Sequence, residues 1–257
     1  MNVLALQGVF NSDYWLESRK CNILKAIIRT NDRRGKVMTN SNRQINLSKV
    51  AQDIMDQLAE PILMGELRKM AKAIKKDHNL ALELWSTAHF QARLLAILIM
   101  DKNSLSEEDL DTLCSDMEDD SYPKRTQLID WLMTNHLTKD NKKKAILNSW
   151  KDSPLKLQRR AYWYYQGRLR WTGKVPIDNT EELVATVEES ILDEVEEVQW
   201  AMNFVMGWIG VYQPEYRERC VGIGERTGLY KGDHVSKGCT PNYLPEFIAI
   251  EAAKRDL

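Results

Sequence analysis

The chain predicts an all-α fold, a superhelix of stacked helix pairs, and three observations carry that prediction. A helical signature recurs as Phe90-Gln91-Ala92-Arg93, Leu157-Gln158-Arg159-Arg160-Ala161 and Val198-Gln199-Trp200-Ala201, with a weaker copy at Gln127 before Leu128-Ile129-Asp130-Trp131-Leu132. These glutamines lie 36, 31 and 41 residues apart. Each strong copy opens a hydrophobic helix that follows another helical segment: Leu80–Trp85, Lys144–Trp150 and Glu181–Glu197. No strand-like alternation persists anywhere. A period of about 35–40 residues filled with helix pairs is the pattern of a HEAT-like solenoid, because one pair cannot bury its apolar face without neighbours. Function is then sought along the concave face.

The elements follow from the periodicity in order. Ser12–Arg29 reads as a helix on the apolar face Tyr14, Leu16, Ile23, Leu24, Ile27 and Ile28. Thr30–Gln44 is a polar loop whose Arg33, Arg34, Lys36 and Arg43 could touch phosphate or simply remain mobile. Leu47–Leu58 is amphipathic and stops before Pro61. Helices are then expected at Gly65–Lys76, Leu80–Trp85, His89–Met100, Ser106–Ser115, Lys124–Leu137, Lys142–Trp150, Leu157–Trp171, Thr180–Glu197 and Val198–Tyr212. Ser104 or Ser106 before Glu107-Glu108, and Asn179-Thr180 before Glu181-Glu182, supply N-caps with acids in the first turn. Residues 1–216 thus form the repeat domain. The tail, Arg217–Leu257, is glycine-rich and ends in a short helix, Pro245–Lys254. Its glycines at 222, 224 and 228 miss dinucleotide-fingerprint spacing and follow no strand. Residues 217–257 therefore read as an extension packed on the last repeat.

Composition narrows the function classes. Across 257 residues, 43% hydrophobic and 28% charged describe a soluble globular chain. The longest apolar run, Leu94–Met100, is too short to span a bilayer. Met1–Phe10 has no leader pattern, so a cytoplasmic location is expected, nucleoid-associated if the source is bacterial. The cysteines at 21, 114, 220 and 239 form no C-x-x-C pair, and the histidines at 78, 89, 136 and 234 are scattered. No metal site or cofactor is expected.

Net charge is −1, but its distribution is uneven. Ser106–Asp120 holds eight acids and no base, and Asp178–Glu197 nine acids and no base. Between them, Lys139–Arg170 holds ten bases against Asp140 and Asp152. Along a stacked array this predicts a basic strip in the central repeats, or else a set of solvated outer faces. In helix Leu157–Trp171 the stripe Arg159, Trp163, Gln166, Arg170 runs at i, i+4, i+7 and i+11, with Tyr162, Tyr165, Ala161 and Leu169 left as a core face. Arginines alternating with aromatics suit a nucleic acid, since guanidinium binds phosphate and aromatic faces stack on bases. Arg93 is the only charge after His89 in its helix, either paired internally with an acid or exposed in a groove. Gly207 and Gly210 inside Val198–Tyr212 suggest close helix packing or close approach by a ligand backbone.

Segment Glu66–Arg93 (ELRKMAKAIKKDHNLALELWSTAHFQAR), Gln158-Arg159-Arg160-Ala161 and Val198–Pro214 (VQWAMNFVMGWIGVYQP) together resemble the AlkD-type DNA alkylation-repair family over roughly Pro61–Glu215. The resemblance implies a HEAT-like superhelix whose basic concave face cradles duplex DNA, and removal of positively charged N-alkylated purines. The family's arginine falls on Arg159 or Arg160, and its later helix tryptophan on Phe204. Its aromatic with an Asp four residues on falls on Tyr122 and Thr126, so a hydroxyl stands at the catalytic Asp position. Lys124 and Arg125 beside it would oppose cation development there. Asp119, Asp120 or Asp130 could substitute only with a displaced backbone.

The catalytic candidates are accordingly Asp130, Asp120 and Tyr122, with no assignment made. The DNA-binding candidates are Arg93, Lys124, Arg125, Arg159, Arg160, Trp163, Arg170 and Phe204. The function expected is binding of duplex DNA, alkylated or intact, with base excision weak, altered or absent. The alternative is a HEAT-type scaffold that binds a basic protein through the acidic segments. A basic concave face with exposed Arg159 and Trp163 favours DNA; an acidic or apolar one favours protein.

Overall fold

The computed structural model describes residues 47–139, 141–171 and 178–257. The expected helix Ser12–Arg29, the basic loop after it and Cys21 lie outside the described residues. Twelve α-helices and no strand occur among the described residues, and they fall into six consecutive pairs. These are α1 (Lys49–Gln57) with α2 (Met64–Ile74), α3 (His78–Ser86) with α4 (Phe90–Ile99), and α5 (Glu107–Met117) with α6 (Tyr122–Asn135). They continue as α7 (Asn141–Ser149) with α8 (Lys156–Trp171), α9 (Thr180–Ser190) with α10 (Glu196–Tyr212), and α11 (Pro214–Thr227) with α12 (Leu244–Ala253). The second members form one layer, in which α2 packs on α4, α4 on α6, α6 on α8, α8 on α10 and α10 on α12. In the other layer α1 meets α3 and α9 meets α11.

Local chemistry starts these helices where the sequence marks them. Ser48 accepts from the Ala51 amide, Asp77 from Leu80 and His89 from Ala92, while Ser106 and Asp109 close a capping box. Each such cap contributes about 1 kcal/mol. The recurring glutamine now has a physical role. The Gln91 amide donates to Ile62 O (2.7 Å) and accepts from Ile62 N (3.1 Å). Gln158 Nε2 donates to Asp111 Oδ1 at 2.6 Å. Both side chains fasten the start of a second-layer helix to the preceding pair. Gln199 reaches only Leu192 O, within its own pair, at 3.5 Å.

Two expectations are corrected. The helix expected over Thr180–Glu197 breaks at 191–195, where Val195 is extended, and restarts at Glu196. The glycine-rich tail does not begin at Arg217, because α11 runs through it to Thr227. Gly224 reads as a breaker, yet a Cβ there would lie 2.5 Å from Pro245 Cδ. Close approach of α12 therefore overrides helix propensity. At Gly210, likewise, a Cβ would meet Ile248 Cδ1 at 2.5 Å, so helix packing explains that glycine.

The C-terminal end of α4 and the loop after it are held by three cationic or polar side chains: Lys76 donates to Met100 O (2.8 Å), His136 Nε2 to Ile97 O (2.7 Å) and Lys143 to Leu105 O (2.7 Å). Burial pulls the His136 imidazole down to about 4; the Ile97 hydrogen bond opposes this, and Lys76 and Lys143 reinforce it. An unfolded histidine titrates near pH ~6.5, so between about pH 6.5 and 4 the unfolded chain binds the extra proton. Stability is therefore level above pH ~7 and falls as pH drops through that window, by on the order of 3 kcal/mol. Urea unfolding from pH 7.5 to 4.5 should show this decline, and His136→Gln should flatten it.

Candidate nucleic-acid interface

The middle of the array is organised around Arg160 of α8, whose side chain has no exposure. Its Nε and Nη2 donate to Asp130 Oδ1 (3.2 Å) and Oδ2 (2.9 Å), and its Nη1 to Glu197 O (2.9 Å). The guanidinium carbon lies 4.9 Å from the centre of the Trp200 ring. Burial works against the charge, but Asp130 more than offsets it, leaving the guanidinium above its ordinary pKa. Only a planar, five-donor group satisfies a carboxylate, a carbonyl and a ring face at once.

Further ion pairs extend from this centre. The Glu197 carboxylate takes Arg125 of α6, whose Nη1 also donates to Asp120 O at 3.1 Å. The Asp120 carboxylate in turn takes Arg93 of α4 at 2.6 Å, and Arg93 also donates to Asp116 O (3.0 Å) over the Trp85 ring. Arg93 is therefore paired internally. Arg159 turns the other way, with Nε and Nη2 both 2.9 Å from the Glu194 carboxylate and Nη1 on Ser153 O.

The stripe expected to face a ligand is thus corrected. Trp163 is 1% exposed and packs edge-on against Tyr162. Arg170 is also buried, donating to Asn179 Oδ1 (3.0 Å) and Thr180 Oγ1 (3.1 Å), and burial pulls it down to about 10. Arg160, Trp163 and Arg170 serve the core, because α8 lies between α6 and α10 and is covered around most of its circumference. Tyr165 and Leu169, read as core, are the half-buried ones.

Phe204 is half-buried, stacked on Trp200 and tilted against Tyr164, with ring centres 5.4 Å away in each case. Gly167 makes room for it: a Cβ there would sit 2.4 Å from Phe204 Cδ1. The aromatic ladder continues along α10 to Trp208 and Tyr212. Lys124 is half-exposed, its Nζ 5.7 Å over the Phe90 ring. Burial, and then the Lys124 charge, lower the His89 pKa and favour the neutral ring whose Nδ1 caps α4.

Thr126 is buried, and its hydroxyl donates back to Tyr122 O at 2.9 Å. Asp130, one helical turn further, is the carboxylate that meets Arg160, while Tyr122 is half-buried beneath Arg125. Burial raises the phenol pKa of Tyr230, in the turn after α11, with Tyr122 and Glu196 adding to the rise and Arg160 opposing it. Sequence reasoning missed Glu194 and Glu197 as partners, though the opposed charge blocks were a visible signal.

The acidic segments are largely engaged within the molecule. Glu118 pairs with Lys156, Glu182 with Lys151, and Glu181 and Glu188 with Arg219. Burial raises the thiol pKa of Cys114 and Cys220, which suits packing rather than nucleophilic chemistry. Among the described residues, no group of three His, Cys, Asp or Glu could hold a metal ion, and no helix is long and apolar enough to cross a membrane.

Breaking a buried ion pair by removing one partner strands the other charge. Arg160→Ala and Asp130→Ala should each destabilise the fold by about 3–5 kcal/mol. The double variant should lose clearly less than the sum of the two, a coupling that a double-mutant cycle in urea would measure.

A family model described as "DNA alkylation repair enzyme" matches residues 46–225. No match was found among curated proteins. One solved structure aligns with a TM-score of 0.55 and 21% identity, over 81% of this chain and 88% of its own. It is described as "A new family of proteins related to the HEAT-like repeat DNA glycosylases with affinity for branched DNA structures". At that identity the likeness speaks for a HEAT-like fold. With more than two thirds of its length matched by the family model, the chain belongs to the DNA alkylation repair enzyme family.

Proposed function

We propose that this chain is a DNA-binding member of its family in which base excision is weak or absent. Family membership and the HEAT-like relative described as having affinity for branched DNA support DNA as the ligand. Branched DNA is therefore the form to set against plain duplex. The observation that carries the second half of the reading is the closed Arg160–Asp130 pair. Excision of a cationic base leaves an oxocarbenium-like sugar, which a carboxylate stabilises only if its charge is available. Both Asp130 oxygens hold Arg160, and Thr126, at the position the family resemblance assigns to the catalytic Asp, offers a buried hydroxyl bound to its own helix.

Lost preorganised charge costs on the order of 2–4 kcal/mol in the transition state, roughly thirty- to a thousand-fold in rate. Two measurements on the purified chain test the reading. Labelled four-way junction and duplex should both bind, weakening at least about tenfold between 50 and 200 mM salt as counterion release requires. Free-base release from N-alkylated duplex should stay near the spontaneous rate. Absence of DNA binding would overturn the first half; robust release by the parent chain would overturn the second.

A further inference from the structure

The aromatic ladder on α10 runs past Phe204, where the family resemblance places its tryptophan, and its far end is built from three helices. Trp200, Phe204, Trp208 and Tyr212 stand at i, i+4, i+8 and i+12, so they share one face of α10. Trp171, the last residue of α8, has its ring centre 6.3 Å from that of Trp208, with the planes 33° apart. Tyr212 lies 5.9 Å from Trp208 with the planes 23° apart, and Phe247 of α12 stands at 88° to Trp208, 5.2 Å away. Trp208 is buried, but Trp171 is half-buried and Tyr212 is 39% exposed.

The exposed ring is fixed in place. Arg255, just beyond α12, donates from Nε to the Tyr212 hydroxyl (3.0 Å) and from Nη1 to Glu251 O (2.8 Å) and Oε2 (2.6 Å). Glu251 is shared with Lys254 (2.7 Å), which leaves the trio with net positive charge. The Arg255 guanidinium carbon lies 5.0 Å from the centre of the Trp208 ring, and on the α8 side that of Arg168 lies 5.9 Å from the Trp171 ring. Holding a large ring at the surface costs side-chain freedom, and partial burial offsets little of it. A second flat ring laid against Tyr212 or Trp171 would complete the burial. A nucleobase is such a ring, and the phosphates attached to it match the guanidiniums at the edge. In an intact duplex each base is already stacked and leaves the helix only at a cost, whereas unpaired bases are available.

We propose that the Trp171–Trp208–Tyr212 end of the ladder is a stacking platform for unpaired nucleobases, so that the chain prefers DNA containing single-stranded positions over intact duplex. The proposal rests on the DNA-binding reading above and names the form of DNA it takes. Every base has a flat face, so the platform confers a preference for structure rather than for sequence.

The test compares a plain duplex with the same duplex carrying a short single-stranded gap, a 2-aminopurine placed in the gap to report stacking. The full-length parent should bind the gapped form more tightly and quench the probe. Tyr212→Ala and Trp171→Ala should each weaken gapped-duplex binding by about fivefold or more and restore the fluorescence, with plain-duplex binding unchanged. Tyr212→Phe keeps the ring and should keep most of the preference. Because each variant is judged by the ratio of the two substrates, a simple loss of folded protein, which weakens both alike, is told apart. A parent that binds gapped and plain duplex equally, or a Tyr212→Ala/Trp171→Ala double variant that retains the parent's preference, would overturn the platform and leave the DNA-binding reading intact. A parent that binds no DNA would overturn both. A proline-rich peptide that binds the parent more tightly than gapped DNA, and is lost in Tyr212→Ala, would overturn the nucleobase assignment in favour of a peptide ligand.

Discussion

The buried Arg160 guanidinium is the constraint on which the middle of the array depends. Removing such a charge from water costs several kcal/mol, and the fold recovers it only if every donor direction is met. Asp130 from α6, the Glu197 carbonyl from α10 and the Trp200 ring meet it together. The acids on either side then serve twice, through different atoms. Glu197 gives its carbonyl to Arg160 and its carboxylate to Arg125; Asp120 gives its carbonyl to Arg125 and its carboxylate to Arg93. Hydrophobic burial between layers is non-directional and would tolerate sliding. This alternation is directional, and it fixes α4, α6, α8 and α10 in one lateral register.

Much of the architecture was legible because its signals are local. Caps, apolar periodicity and the glutamine period specify helix pairs, and Gln91 and Gln158 are visible in sequence because they do the same job in the second and fourth pairs. What failed was orientation. Periodicity says which residues of α8 share a face, but not which face is inward when neighbours cover most of the helix. Trp163, Gln166 and Arg170 therefore looked like part of a ligand stripe and are core. The α11 helix was missed for a related reason. Its glycines weaken the local helix signal, and only the arrival of Leu244 and Pro245 explains Gly224.

Charge blocks proved informative in a different way from the one expected. Opposite blocks one repeat apart are brought side by side by stacking, so segregation along the chain becomes pairing in space. Arg159 with Glu194, Lys151 with Glu182 and Lys156 with Glu118 are the result.

The Arg160–Asp130 pair also bears on what chemistry the scaffold can host. A carboxylate beside a departing cationic base acts through its field, and a guanidinium bound to both its oxygens cancels most of that field at a distance. Freeing Asp130 would require opening a pair whose disruption removes about 3–5 kcal/mol from the fold. Native domains hold only about 5–15 kcal/mol in total, so little would remain to keep the second-layer helices in register. Stability and any excision that relied on Asp130 would thus make opposing demands on the same two side chains. In this chain the geometry meets the first demand: the arginine and carboxylate lie together as a closed structural pair.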